Sequence, residues 1–202
     1  MKMNEYDVGE YAEETRRSNF GDEFRSIREE FMAPLEESDV LFDLGCGPCH
    51  DTSFCSDQIE DVVGIDKRKS MLQHGAREYG CQQLIAGDMT CIPVNDGSAD
   101  AVWANASVFS DADDQGTVRQ RLGEMQRITS KGGAIHVSFK IGGDSYLDDY
   151  DVKNVVHTAE EVEDMIERSG MEINYDRSRK IKSSRSEFRQ WYNVFAGAGS
   201  DE

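Results

Sequence analysis

The residues best suited to bind a ligand lie in one stretch, residues 40–51, with the sequence VLFDLGCGPCHD. Val40–Leu44 is an apolar run that contains a single acid, Asp43, and it is long enough for a buried strand of a parallel sheet. Gly45 and Gly47 follow, and two glycines at that spacing allow a sharp turn with room for a ligand against bare backbone. Residues that can cap a helix come next. A junction of strand, glycine turn and helix is where ligands bind in open α/β sheets.

Three kinds of site are compatible with this stretch. A site for S-adenosylmethionine needs an acid just before the glycines, because the methionine part carries an ammonium group, and Asp43 is in that position. A dinucleotide site needs the pattern G-x-G-x-x-G, but residue 50 is His50 instead of the third glycine. Cys46 and Cys49 have the C-x-x-C spacing of a thioredoxin redox pair, and His50 extends them to the C-x-x-C-H string of haem attachment.

Two further acids follow predicted strands. Val62–Asp66 is a short apolar run ending in an acid about 20 residues beyond the glycine turn, the distance at which an acid meets the hydroxyls of a bound ribose. Gln83–Ala86 is a third predicted strand, followed by Gly87 and Asp88. We expect Asp43, Asp66 and Asp88 to face one groove. Redox chemistry at Cys46 and Cys49 does not call for acids at three strand ends.

Helices and strands alternate along the rest of the chain. This alternation predicts parallel β-α units in a sheet that is covered on both faces. Lys131-Gly132-Gly133 is expected to end one helix, and Thr158 begins another with the spacing of a capping box. The predicted helices are residues 51–58, 70–79, 114–129 and 159–169, and the later strands are 100–105, 134–139, 171–177 and 188–195.

Residues 1–37 are expected to form a helical arm that packs on a single domain of residues 38–202. Phe24, Ile27 and Phe31 share one helical face. The arm either crosses the mouth of the ligand site or simply closes the core. Residues 142–157, rich in Gly, Tyr and Asp, are interpreted as a loop or lid over the site.

The chain is strongly acidic, with 40 Asp and Glu against 22 Lys and Arg in 202 residues and a net charge of −18. Such a surface repels itself in dilute buffer, so we interpret it as adaptation to a salty cytosol; an ordinary acidic protein is the alternative. The charge argues against a nucleic-acid partner, because phosphate binding relies on clustered Lys and Arg. One basic cluster is better explained as a solvated strand face: Arg177, Arg179, Lys180, Lys182, Arg185 and Arg189.

The sequence shows no targeting or membrane segment. No apolar stretch of a signal peptide follows the first residues, and no run approaches the ~20 apolar residues of a membrane span. We expect a cytoplasmic protein without membrane association, whose five cysteines are free thiols. One cluster of candidate metal ligands lacks the second ligand pair of zinc sites, so no metal is predicted: Cys46, Cys49, His50 and Cys55.

Four segments in order, each at a predicted strand end, resemble the motifs of class I S-adenosylmethionine-dependent methyltransferases. They are VLFDLGCGP at 40–48, VVGID at 62–66, AGDM at 86–89 and DAVWANAS at 100–107. The resemblance covers nearly the whole chain, roughly residues 38–196. It implies an α/β, Rossmann-like fold: a seven-stranded, mostly parallel sheet with helices on both faces and an antiparallel last strand.

The resemblance also implies roles in binding S-adenosyl-L-methionine. Gly45, Cys46 and Gly47 would line the methionine and ribose with their backbone, and Asp43 would orient the methionine amino group. Asn105 or its neighbours would hold the methionine end by main chain.

On the nucleoside side, Asp66 would bind both ribose hydroxyls. Asp88 would accept a hydrogen bond from the adenine amino group, and Met89 would donate its backbone N–H to the ring. The departure from the family is Cys49, where a third glycine is common, so that a thiol either crowds the turn or points away from the cofactor.

The implied activity is methyl transfer to an unidentified acceptor, by default a small molecule, in a monomer or homodimer. The string at 105–107 is not the N-P-P-[YF] of enzymes that methylate amide or base nitrogens. No catalytic residue is assigned, since a general base is optional; five residues are candidates for lining the acceptor pocket: Tyr11, His50, Ser107, Tyr146 and Tyr150. The competing hypotheses are a thiol redox protein, an NAD-binding oxidoreductase, and a methyltransferase-like fold that binds cofactor without turnover.

Overall fold

The structure is a computed structural model that describes residues 8–19, 22–112, 114–141, 146–147, 153–154, 157–182 and 188–199. The helices are α1 (Val8–Asn19), α2 (Asp22–Met32), α3 (His50–Cys55), α4 (Lys69–Tyr79), α5 (Gln115–Ile128) and α6 (Ala159–Arg168). The strands are β1 (Val40–Leu44), β2 (Asp61–Asp66), β3 (Leu84–Ala86), β4 (Ala99–Ala104), β5 (Thr129–Ile141), β6 (Tyr146–Leu147), β7 (Lys153–Asn154), β8 (Met171–Lys182) and β9 (Phe188–Ala198).

Seven of the described strands form one sheet in the order β3-β2-β1-β4-β5-β9-β8. The first five pair in parallel, and β9 runs antiparallel to both β5 and β8. This confirms the predicted α/β fold with an antiparallel last strand. The chain moves outward from β1 to β3 on one side and from β4 onward on the other. Ligands bind outside the carboxyl ends of the strands at such a reversal point, and the glycine turn follows β1 there.

Both faces of β1 are buried because its neighbouring side chains alternate between two cores. Phe42 packs in the larger core with α5 and α6, whereas Leu41 packs in a second core with α2. The helical face predicted for α2 is buried there, since Phe24, Ile27 and Phe31 are each at most 3% exposed. Residues 22–32 therefore close the core, while the division of the chain at residue 37 stays a prediction.

The junction between α5 and β5 differs from the expectation. The helix ends at Ile128 and the strand begins at Thr129, so that Lys131-Gly132-Gly133 lies inside β5 and does not end the helix. Thr129 is already extended, and its backbone N–H and its Oγ1 both donate to the carbonyl of Met125 in the last turn of the helix. The predicted capping box of α6 is present: Thr158 Oγ1 accepts from the Glu161 backbone N–H and the Glu161 carboxylate accepts from the Thr158 N–H.

Several expectations fall on residues outside the described ranges. The predicted lid at 142–157 is described only at β6, β7 and residue 157, and β6 pairs with β7 as a separate two-stranded sheet. The side chains of the basic cluster, on β8, β9 and the segment between them, also lie outside what is described. No helix in the described part of the chain combines the length and apolarity needed to cross a bilayer.

The helix after the glycine turn is locked to α4 by the residue that departs from the family pattern. Cys49 precedes α3 in the left-handed region, at φ 68°, which is unusual for a residue with a side chain. Its sulfur lies against Gly75 of α4, where a built Cβ would come within 2.2 Å of Cys49 Sγ. The thiol therefore occupies space that Gly75 leaves open, and it also lies 3.6 Å from the Gly47 carbonyl of the turn.

We expect Gly75→Ala to destabilise the protein by about 1–3 kcal/mol, because the added methyl overlaps Cys49. Gly123→Ala in α5 is the matched control, since among the described residues no atom outside its chain neighbours and the nearby backbone of its own helix lies within 4 Å of its Cβ position. It should stabilise the protein by up to about 1 kcal/mol. Urea denaturation measures both. Adding Cys49→Gly to Gly75→Ala should restore the lost stability, because it removes the overlapping thiol. Equal stability changes for Gly75→Ala and Gly123→Ala would contradict the close packing of Cys49 on Gly75.

Candidate functional site

Three predicted acids lie at the carboxyl edge of the sheet. Asp43 in β1 is 2% exposed and Asp66 at the end of β2 is 4% exposed, whereas Asp88, just beyond β3, is exposed. β1 and β2 are adjacent, and Asp43 is close enough to feel the charge of Asp66. Gly87 joins the third strand to the second by donating its N–H to the Asp66 carbonyl at 3.2 Å. The structure thus brings the acids to one edge.

Asp66 fastens the glycine turn to the end of β2. Its Oδ2 accepts from the Gly47 N–H at 3.0 Å and its Oδ1 from the Arg68 N–H at 2.7 Å. The N–H groups of Gly45 and Cys46 both donate to the Ile65 carbonyl, at 2.7 and 3.1 Å. Because each carboxylate oxygen has two lone pairs, Asp66 keeps acceptor capacity for ligand hydroxyls.

The turn itself is shaped to receive a ligand on one side. Gly45 and Gly47 have φ of +68° and +51°, a region that favours glycine. A Cβ at Gly45 would overlap Ser107 Cβ at 2.4 Å, so this side of the turn is packed. At Gly47, itself a buried residue, no atom of the described residues other than its own and its two chain neighbours lies within 4 Å of the Cβ position. An open backbone turn beside buried carboxylates fits a ligand with hydroxyl groups and positive charge.

Asp43 is a buried acid in an electrostatically unfavourable position. Its Oδ2 accepts the Thr52 hydroxyl at 2.6 Å. Burial, and then the nearby charge of Asp51, raise the pKa of Asp43 well above its usual value. The buried guanidinium of Arg28 donates to Asp51. A ligand cation reaching Asp43 would supply the compensating charge, which suits the ammonium group anticipated from the sequence.

Asp88 and Met89 lie at the β3 side of the turn. Asp88 Oδ1 accepts from the Thr90 N–H at 2.9 Å and from its hydroxyl at 2.8 Å, and the backbone bond lowers the pKa of Asp88. These bonds make Asp88 a cap of the local turn that follows β3. The half-buried Met89 side chain reaches the glycine turn, with Cε 3.5 Å from the Cβ position of Gly45.

The Asn105 side chain is committed to contacts within the protein. Its Nδ2 donates to Asp51 Oδ2 at 2.9 Å and its Oδ1 accepts the Ser138 hydroxyl at 2.6 Å. Contact with a ligand would therefore be made by the main chain, as the sequence resemblance implies. Ala106, the next residue, is held in the left-handed region at φ 56°.

The candidates for the acceptor pocket are mostly engaged in packing. His50 Nε2 lies 2.8 Å from the Ala12 carbonyl of α1, and burial lowers the pKa of His50. Ser107 donates its hydroxyl to the Leu44 carbonyl at 2.7 Å. Tyr11 is half-buried on α1. The Tyr146 side chain and the whole of Tyr150 lie outside the described part of the chain.

The cysteine pair is poorly suited to redox chemistry. Cys46 Sγ and Cys49 Sγ are 3.8 Å apart, and both residues are buried. Hydrogen bonding to Cys46 and burial raise the pKa of the Cys49 thiol, whereas thiol exchange needs an accessible thiolate. Cys55 packs in a different core, and the described residues contain no group of three or more His, Cys, Asp or Glu arranged to hold a metal.

Sequence reasoning missed the two charged groups behind the turn, Asp51 and Arg28. Asp51 is among the residues after the glycine turn that can cap a helix, yet it is 6% exposed and accepts from Arg28, from Trp103 Nε1 at 2.9 Å and from Asn105. One signal was present for Arg28, which interrupts the apolar face formed by Phe24, Ile27 and Phe31. Arg28 is 1% exposed, and a charged side chain buried to that degree needs a partner.

Comparison with known proteins places this geometry in a family. The profile of the methyltransferase-domain family matches residues 42–137, which carry the glycine turn and the strands around it. Residues 42–137, just under half of the chain, thus resemble a class I methyltransferase domain. The cofactor of this class is S-adenosylmethionine, and the open turn flanked by Asp43 and Asp66 fits its ammonium and hydroxyl groups.

Two curated relatives are methyltransferases. Malonyl-[acyl-carrier protein] O-methyltransferase of Pseudescherichia vulneris is 28% identical over 95 residues, 47% of this chain and 36% of that protein. A probable S-adenosylmethionine-dependent methyltransferase of Mycolicibacterium smegmatis is 27% identical over 141 residues, 67% of this chain and 52% of that protein. The chain thus spans about half or less of the length of these relatives.

A solved structure shows the same fold with ligands bound. It is the 1,6-didemethyltoxoflavin-N1-methyltransferase of Burkholderia thailandensis with 1,6-didemethyltoxoflavin and S-adenosylhomocysteine. The two folds agree with a TM-score of 0.71 over 96% of this chain and 92% of that chain, at 15% identity. At that identity the likeness shows the shared methyltransferase fold.

We expect Asp43→Asn to remove a pH-dependent loss of stability. Because the pKa is raised, the folded protein binds this proton more tightly than the unfolded chain, so the wild type loses stability as the pH rises above about 4 and through the folded pKa. The amide cannot ionise and keeps an acceptor for Thr52, so the variant should gain stability relative to wild type at neutral pH.

Urea denaturation across a pH series measures this difference, with Asp61→Asn, an exposed acid that begins β2, as the control. A difference in unfolding free energy between wild type and Asp43→Asn that stays constant with pH would show that Asp43 ionises normally.

Proposed function

We propose that this protein transfers a methyl group from S-adenosylmethionine to a small-molecule acceptor. The observation that carries the proposal is the open turn at Gly47 between two buried carboxylates, Asp43 and Asp66. One carboxylate has an uncompensated environment suited to an ammonium group, and the other has acceptor capacity suited to ribose hydroxyls.

The remaining site residues follow the order of the strands across the sheet edge. Asp66 at the end of β2 receives the ribose hydroxyls, and Asp88 and Met89 beyond β3 meet the adenine ring. Asp43 in β1 orients the amino group, and the main chain at Asn105 after β4 holds the methionine end. The backbone of Gly45, Cys46 and Gly47 lies between these groups.

The cofactor itself supplies an activated methyl group and its leaving group. The chain then has to hold an acceptor nucleophile in line with that methyl group and to exclude water, and such positioning can lower the barrier by several kcal/mol. A general base is needed only when the acceptor must lose a proton. None of the described residues is assigned that role. The proposed contribution of the chain is to align the acceptor with the methyl group, without a proton transfer.

The acceptor is proposed to be a small molecule and not a nucleic acid. The net charge of −18 repels a phosphate backbone, and the segment after β4 lacks the N-P-P-[YF] string. We further propose a monomer or homodimer in the cytoplasm. Incubation with methyl-labelled S-adenosylmethionine and a cell extract, fractionated afterwards into metabolites, nucleic acid and protein, would identify the acceptor class. Label found only in nucleic acid or protein would exclude a small-molecule acceptor.

Calorimetry with S-adenosylmethionine, S-adenosylhomocysteine and NAD, in high salt, tests the cofactor assignment. Both adenosyl compounds should bind and NAD should not. Binding of NAD alone would favour an oxidoreductase. Tight binding of both adenosyl compounds without label transfer to any acceptor would favour a methyltransferase-like fold without turnover.

Asp66→Ala should weaken S-adenosylmethionine binding by about 1–3 kcal/mol, the scale of hydrogen bonds to a charged group. The variant removes the acceptor for the ribose hydroxyls and also the tie to the Gly47 N–H. Calorimetric titration measures the loss, with Asp61→Ala at the opposite end of β2 as the control. Unchanged affinity would remove Asp66 from the site.

We propose that the acidic surface is an adaptation to a salty cytosol. Acids such as Glu60, Asp61 and Glu78 are exposed, and screening of their repulsion should stabilise the fold. The melting temperature should therefore rise from low salt to molar KCl. A melting temperature independent of KCl concentration would contradict the adaptation and leave an ordinary acidic protein.

A further inference from the structure

Asp51 is a point where three structural elements converge on one carboxylate. Arg28 reaches it from α2, Trp103 from the end of β4, and Asn105 from the segment after β4. Arg28 and Asp51 are 1% and 6% exposed, so the ion pair is almost completely removed from water. Loss of one partner would leave an unpaired buried charge, which is strongly destabilising in general.

A chain of hydrogen bonds leads from this carboxylate to the backbone of the site. The Ala106 N–H donates to Ser138 Oγ at 2.9 Å, and the Ser138 hydroxyl donates to Asn105 Oδ1 at 2.6 Å. The Asn105 amide then donates to Asp51 Oδ2 at 2.9 Å. Every donor points toward Asp51.

The direction of this relay follows from the chemistry of its end. A carboxylate can only accept, so the amide nitrogen of Asn105 has to face Asp51 and the amide oxygen has to face Ser138. The Ser138 hydroxyl must then donate to that oxygen, which leaves its lone pairs for the Ala106 N–H. Hydrogen bonds aligned in this way strengthen one another.

The backbone that the relay holds borders the glycine turn. Ala106 is fixed at φ 56°, which costs free energy for a residue with a Cβ. Ser107, the next residue, donates to the Leu44 carbonyl at the end of β1. Residues 105–107 are thus held between β1 and β5 by these hydrogen bonds.

We propose that Asp51, balanced by Arg28, is a positioning residue for the methionine end of the cofactor and acts through the main chain of Asn105 and Ala106. The inference rests on the proposed function, which places the methionine end against this backbone. Arg28 extends the site to α2, outside the residues 42–137 that match the family profile.

Two ligands separate positioning from a general structural role. S-adenosylhomocysteine carries the amino acid part, whereas 5′-methylthioadenosine has the same adenosine and sulfur without it. Asp51→Asn should raise the dissociation constant of S-adenosylhomocysteine about tenfold, which is the scale of one or two lost hydrogen bonds. Binding of 5′-methylthioadenosine should change less than about twofold on the same scale. Asp57→Asn, an exposed acid just after α3, is the matched control.

Ser138→Ala provides a second test that leaves the buried Arg28–Asp51 ion pair intact. It breaks the relay in its middle and should give the same selective loss, whereas Thr129→Val removes a buried hydroxyl at the other end of β5 and should not. Circular dichroism checks that each variant is folded, and Ser138→Ala alone decides the question if Asp51→Asn does not fold.

If the variants bind both ligands equally more weakly, or bind both as tightly as the wild type does, the positioning role is overturned while the proposed function stands. Failure of the wild type to bind either ligand is a different result, because it overturns the proposed function together with this inference.

Discussion

Two carboxylates, Asp43 and Asp51, are buried close together behind the glycine turn, and the guanidinium of Arg28 pairs with Asp51. Charges in a poorly solvated interior need partners, so this constraint organises much of the molecule. α2 supplies Arg28 to Asp51, and the indole of Trp103 and the amide of Asn105 donate to the same carboxylate. The Thr52 hydroxyl donates to Asp43. Burial and the charge of Asp51 disfavour the ionised form of Asp43, and a cation placed beside it would favour that form.

Most of the fold could be predicted from the sequence because its strands are buried on both faces and read as short apolar runs. The runs at β1, β2 and β4 each matched to within a residue of the observed bounds. The junction at residues 128–133 was predicted wrongly. Glycines 132 and 133 were expected to separate helix from strand, but tertiary pairing of Thr129 with Ala99 of β4 takes the chain directly into β5.

The candidate site, like the fold, could be predicted from the sequence only in part. Acids that end strands are visible in the sequence because parallel strands place their ends at one edge, which is why Asp43, Asp66 and Asp88 could be anticipated. Asp51 and Arg28 could not be paired from the sequence, since they are 23 residues apart on two helices and meet only through the tertiary fold. Cys49 is expected either to crowd the turn or to point away from the cofactor; its sulfur packs on Gly75 and also lies 3.6 Å from the Gly47 carbonyl, so it remains in contact with the turn.

The position of Arg28 matters for anyone who divides this protein by its family boundaries. A shortened chain that begins where the family profile begins, at residue 42, would lose both α2 and the first residues of β1. It would expose the apolar side of the second core and leave Asp51 without its counter-ion. Insolubility of such a fragment would then reflect a missing guanidinium and missing aromatic cover, and would not bear on the catalytic competence of the full chain.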